Sequence, residues 1–300
     1  EIERLWARLT QICATIGPGQ EISEVVDHLR TDPDRAAPSI EEFLATMRAR
    51  QETALEQLAD VHFEVPEPIR AIAVRSSPPG GSLAPSYTPP SEDFSRPGTV
   101  WYPIGSRTAF PLWDEVTTAH HEGFPGHHLQ MGLQVALGEQ LSRYHRLIVW
   151  NPGSGEGWAL YAEHLMAELG HLDTPDYQAG LLASQLLRAC RIVIDIGLHL
   201  ELDIPDDAPF HPGHAWSFDL AVEMLETMAF CDHEIAVSEV IRYLGWPGQA
   251  ISYKLGEQVI LDLREELVDR RKLPLKDFHA RILEIGSVGL DLLEELALAD

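Results

Sequence analysis

The sequence predicts a mostly α-helical protein, a helical bundle with one small β-sheet, and three observations predict it. Apolar residues recur every three to four positions along most of the chain. β-like runs are confined to residues 69–105, on either side of a link dense in Pro, Ser and Gly. The 300 residues, 45% of them hydrophobic, suffice for one large globular unit or two modest ones with ample core.

Residues 1–68 read as an N-terminal helical segment. Ile2, Leu5, Leu9 and Ile12 share a helical face, Gly17-Pro18-Gly19 breaks the run, and Ser39 with Glu42 forms a capping box that opens a long helix. Residues 69–300 form the second division. There, residues 71–74 and 99–104 are β-like and frame the irregular link 76–98, so they make a small sheet or a structural hairpin. An edge strand of that sheet, if close to a site, would hold an extended peptide by backbone pairing. Helical periodicity resumes at Trp113, residues 151–155 read as a turn, and a further helix opens at Glu156. Segment 178–202 is a long, largely apolar helix with Arg188, Arg191, Asp195 and His199 near one face; an exposed, salt-bridged face is the commoner form of such a pattern, an interior polar network the rarer. His211 and His214 flank Pro212-Gly213, a helix-start signal, and segments 221–230, 234–244, 249–270 and 273–298 complete the bundle.

A formal net charge of -25 argues against nucleic acid or an anionic membrane as partner, because 47 acidic side chains repel phosphate. Cys13, Cys190 and Cys231 are too few and too scattered for a disulfide framework or a cysteine metal site, which fits a cytoplasmic setting. No apolar run reaches the length of a membrane span. The chain begins at Glu1, so a missing native start and secretion stay open.

The chemistry concentrates at residues 119–130, AHHEGFPGHHLQ, where four histidines and a glutamate fall within nine residues. Imidazoles on one helix face are zinc ligands, and a glutamate beside the first polarises water on the metal. His121 is the first ligand and Glu122 the glutamate. The second ligand is expected to be His127, with His128 as the alternative. On a straight helix His128 returns to within about 20° of the His121 face, whereas a kink at Pro125, which cannot donate to the His121 carbonyl, brings His127 round. The other reading is a surface histidine cluster on a broken helix. Downstream, Glu156 and Glu163 lie seven apart and share a helix face; a carboxylate there would complete a three-ligand site, with Glu163 orienting a ligand histidine from behind, unless both are solvated surface groups.

HEGFPGHHLQ, then EGWALYAE, then RYLGWPGQAISYKLG at 242–256 together resemble the bacterial domain-of-unknown-function family 885 over most of residues 60–295. The resemblance implies a helical, zinc-peptidase-like protein. EGWALYAE is also similar to the EGxAxYxE segment of gluzincin aminopeptidases, which implies Glu156 as third zinc ligand and Glu122 as general base. The third motif makes Tyr253 the candidate oxyanion donor and Arg242 the candidate for a substrate's terminal carboxylate. The function expected is a zinc-dependent metallohydrolase, a peptidase acting on a peptide or small amide. The alternatives are hydrolysis of a non-peptide amide or ester, and a non-catalytic helical scaffold with a vestigial site.

Overall fold

The computed structural model describes residues 1–299 apart from 18, 20, 81, 82 and 106, and the chain is mostly helical with small sheets. Helices α1 (Ile2–Ile16) and α2 (Ile22–Thr31) form where the apolar stripes predict them, burying Leu5, Leu9 and Cys13 from the first and Ile22, Val25, Val26 and Leu29 from the second. The break follows Gly17, whose φ of 49° is a glycine conformation; Pro18 of the expected turn lies outside the described residues. After strand β1 (Ala36–Ala37), helix α3 (Ile40–Leu58) starts at Ser39, whose hydroxyl accepts the Glu42 N–H at 3.2 Å.

Strands β2 (Ile72–Ser76), β3 (Ser86–Thr88) and β4 (Gly98–Tyr102) make a three-stranded sheet in the order β2-β4-β3, while β5 (Phe110–Pro111) pairs with β1. The two β-like segments run parallel, with Val74 opposite Val100, and are not a hairpin. A hairpin needs a short loop; the long link returns the chain in the same direction and adds β3 on the other side of β4.

The helical remainder comprises α4 (Glu115–Glu122), α5 (His127–Ala136), α6 (Arg143–Leu147), α7 (Pro152–Glu168), α8 (Pro175–His199), α9 (Phe218–Met228), α10 (His233–Gly245), α11 (Ser252–Arg264), α12 (Leu275–Glu284) and α13 (Leu290–Leu298). Three boundaries depart from expectation. Helix α7 starts at Pro152, because Asn151 caps the Gly153 N–H at 3.1 Å and Pro152 takes the first helical position; the stretch read as a turn is its first turn. The start expected at His211 is a turn, and α9 begins after Ser217, which caps Leu220. The closing segment is two helices, parted at Gly286 with φ 77°.

Helix α8 is the spine. Leu5 and Leu9 of α1 pack with its Leu182 and Leu186, and its Cys190 and Ile194 pack with Leu225 of α9 and Val240 of α10. Helix α3 packs Phe43 and Met47 with Val100 and Tyr102 of β4 and Val116 of α4. Phe63, Phe124, Trp158, Tyr161 and Phe278 centre a further core. Helices α7 and α11 approach backbone to backbone: a Cβ on Gly256 would stand 1.9 Å from the Gly153 carbonyl oxygen and 2.8 Å from the Gly157 Cα. That contact fixes the start of α11 against the helix that carries Glu156.

Candidate metal centre

The helix through the histidine motif breaks where Pro125 predicts. Helix α4 stops at Glu122 and α5 resumes at His127, with a cis Phe124–Pro125 peptide between them. Gly126 lies on the end of α4, where a Cβ would meet the His121 and His120 carbonyl oxygens at 2.0 and 2.4 Å. Two side chains from elsewhere hold the break. Gln51 of α3 donates to the Ala119 carbonyl at 2.7 Å and accepts from the Phe124 N–H at 2.6 Å, and the Trp158 indole donates to the Pro125 carbonyl at 2.9 Å. Gly123 leaves room for Gln51, whose Oε1 would be 2.2 Å from a Cβ.

The break brings the two imidazoles together, ring centroids 4.8 Å apart and nearly perpendicular. Glu156, in the second turn of α7, faces both. Its Oε2 is 3.3 Å from His121 Nε2 and 3.4 Å from His127 Nε2, and it is a buried atom with no hydrogen-bond partner among the described residues. Zinc ligands at about 2.0–2.1 Å in a tetrahedral array stand about 3.3–3.4 Å from one another. The donor set, two imidazoles and a carboxylate, and its spacing therefore fit a zinc ion. A carboxylate oxygen of Glu122 lies within 4.8 Å of ligand nitrogens of both histidines.

Behind this cluster Glu163, with no exposed surface, accepts from His121 Nδ1 at 2.7 Å and from Thr117 at 2.7 Å and Ser184 at 3.1 Å, with Arg188 Nη2 at 3.7 Å. Burial pushes its carboxyl up, but Arg188, His121 and Thr117 outweigh that and hold it at about 2. Burial likewise disfavours the charged His121 ring, yet Glu156 and Glu163 raise it to about 9. Glu156 is held well below the usual range, the two histidines overcoming its burial. Glu122 is raised, chiefly by burial. Three carboxylates around two imidazoles thus make a buried place for a cation. His127 Nδ1 has no partner among the described residues; Trp150 packs edge-on against this ring, centroids 5.4 Å apart.

His128 is not in the cluster. Its Nε2 donates to the Ile69 carbonyl at 2.7 Å and its Nδ1 accepts from the Tyr87 hydroxyl of β3 at 2.9 Å, so the ring ties the small sheet to α5. His127, the histidine expected from the kink, is the one brought to Glu156, and its alternative His128 is not. The Tyr253 ring lies 6.4 Å from that of His121 and nearly parallel to it, at 18°. Arg242 is engaged elsewhere: it donates to Glu239 at 2.9 and 3.3 Å and to Gln249. The polar face of α8 is interior only in its middle: Arg191 and Asp195 are buried, Arg191 on Glu239 at 2.6 Å and Asp195 on the Gly248 N–H at 2.9 Å, while Arg188 is half-buried and His199 exposed. The sequence reading missed Gln51, Trp150 and Thr117. Only Thr117 left a signal, four residues before His121 and so on its face.

The fold and the cluster define a helical protein with a buried His-His-Glu centre supported by a second glutamate. The chain belongs to the family described as bacterial protein of unknown function (DUF885), which matches it over residues 1–296 and so takes in the N-terminal helices. No curated protein matches it. Among solved structures it is similar to a "putative lipoprotein" from Colwellia psychrerythraea at 29% identity and TM-score 0.84, covering 99% of this chain and 50% of that one. It also shares its fold with a "putative lipoprotein of unknown function" from Shewanella oneidensis, at 18% identity and TM-score 0.74, covering 99% of this chain and 54% of that one. The chain thus spans about half the length of these relatives.

Proposed function

We propose that this chain is a zinc-dependent metallohydrolase that cleaves peptide bonds. The observation that carries the reading is Glu156 Oε2, buried, without a hydrogen bond among the described residues, and 3.3–3.4 Å from two histidine Nε2 atoms. His121, His127 and Glu156 would hold the ion. Bound there, zinc supplies Lewis acidity and lowers the pKa of water toward about 7. Glu122, next in sequence to His121 and with a carboxylate oxygen within 4.8 Å of ligand nitrogens of both histidines, takes a proton from the attacking water and returns it to the leaving amine. The Tyr253 hydroxyl donates to the oxyanion as the carbonyl is attacked. Glu163 keeps the His121 Nδ1 protonated, which leaves Nε2 free to bind the ion. The likeness of segment 156–163 to the gluzincin sequence supports the same assignment.

The charge of -25 favours a peptide or small amide over nucleic acid as substrate. No helix among the described residues is long and apolar enough to cross a membrane. The free cysteines support a cytoplasmic setting, whereas the description of both solved relatives as putative lipoproteins supports export; fractionation of the source cells separates the two.

The test is turnover of a peptide library by zinc-loaded wild type and Glu122→Gln. The reading expects cleavage by the wild type and at least a 100-fold loss in the variant with zinc retained. Full turnover by the variant would remove Glu122 from the mechanism. Intact peptides alongside cleaved small amides would change the substrate class.

A further inference from the structure

We infer that Arg191 is a positioning residue for this reaction, holding the Tyr253 ring against His121 so that the phenol hydroxyl meets the developing oxyanion; the inference rests on the metallohydrolase reading. Arg191 projects from α8 and is only 7% exposed. Its guanidinium is clamped along one edge. Nε and Nη2 donate to Glu239 Oε2 at 3.0 and 2.6 Å, and Nε also reaches the Tyr243 hydroxyl at 3.1 Å. Tyr243 in turn donates to Glu239 at 2.7 Å, and Arg242 donates to the same carboxylate oxygen at 2.9 Å. Nη1 is buried and has no hydrogen-bond partner among the described residues. What the free part of the cation meets is an aromatic face: its central carbon is 4.6 Å from the centroid of the Tyr253 ring. That same ring lies 6.4 Å from His121.

The arrangement costs more than a structural role requires. A buried ion pair is commonly replaced by apolar residues of similar volume at no loss of stability. Here Glu239 and Tyr243 hold one guanidinium at one orientation, with Arg242 on the same carboxylate, and the group so held is the floor of a tyrosine beside the proposed metal ligands. Planarity matters, because a flat fork fixed at its edge can lie on a ring whereas an ammonium cannot. A phenol free to tilt by about 1 Å would lose much of its effect on the reacting carbonyl.

The experiment is steady-state kinetics of the zinc-loaded chain on a cleaved peptide for wild type, Arg191→Met, Arg191→Lys, Tyr253→Phe and the Arg191→Met/Tyr253→Phe double variant, with zinc content measured in each. Arg191→Met is expected to lose about 10- to 100-fold in kcat with KM and zinc nearly unchanged. Arg191→Lys should recover only part of this, and the double variant should be no slower than Tyr253→Phe alone. Losses that multiply in the double variant, or a change confined to KM, would overturn the inference while leaving the metallohydrolase reading intact. Should Arg191→Met not fold, Glu239→Gln loosens the same clamp, and full kcat in that variant would overturn the inference equally. A zinc-loaded wild type that cleaves neither peptides nor amides would remove the reading of function and this inference with it.

Discussion

Glu163 Oε1 accepts the His121 Nδ1 hydrogen at 2.7 Å from a position with no exposed surface. This fixes which imidazole nitrogen faces Glu156, and it does so through the helix that also carries Glu156, seven residues earlier. One element therefore supplies both the proposed ligand Glu156 and the group that orients the neighbouring His121 ring. Replacing Glu163 by Ala is expected to lower zinc affinity about 10- to 100-fold. Competition titration against a chelator of known affinity measures this, and unchanged affinity would show that Glu163 does not orient the ligand.

His128 supplies a contrasting prediction. Both ring nitrogens are hydrogen-bonded, to Tyr87 and to the Ile69 carbonyl. His128→Ala should keep its zinc and lose stability, by roughly 1–3 kcal/mol for the buried carbonyl and hydroxyl left unpaired. Denaturant melts together with metal analysis separate the two effects. Loss of zinc with unchanged stability would reverse the roles given to His127 and His128.

The sequence was legible where one side chain acts on its own neighbourhood. The helical stripes, the cap at Ser39 and the break at Pro125 are local, and each stands where the pattern placed it within a few residues. His121, Glu122 and Glu156 could be named because spacing and resemblance converge on them. His127 was favoured over His128 on the kink at Pro125 alone; what the sequence did not show is how Gln51 and Trp158, 73 residues before and 33 after the groups they hold, set the ends of the break. The parallel pairing of β2 and β4 was hidden for a similar reason: strand direction follows from the path of the link, not from alternation within either strand. The burial of Arg191 depends on Glu239 from another helix, and an i, i+4 pattern cannot distinguish a buried face from an exposed one.

Glu239 gives a pH prediction. Burial pushes its carboxyl up, but Arg191 and Arg242 outweigh that and hold it at about 2, against about 4.3 in an unfolded chain. A carboxyl whose pKa is lower folded than unfolded stabilises the fold above the unfolded value, and the contribution disappears as pH falls through the folded one. The stabilisation, on the order of 3 kcal/mol, should be present at pH 5 and above and be lost progressively from about pH 4.5 toward pH 2. Glu239→Gln should flatten that part of the stability profile. A variant profile parallel to wild type between pH 5 and 3 would mean that the clamp on Arg191 is not an ion pair.

The most direct test of the central claim is the zinc content of the purified, reconstituted chain, with Glu156→Ala and His127→Ala beside it. The account predicts about one zinc per wild-type chain and a loss of affinity in each variant large enough to leave it metal-free after dialysis. A wild type that takes up no zinc, or variants that retain it in full, would contradict the claim that His121, His127 and Glu156 form a metal centre.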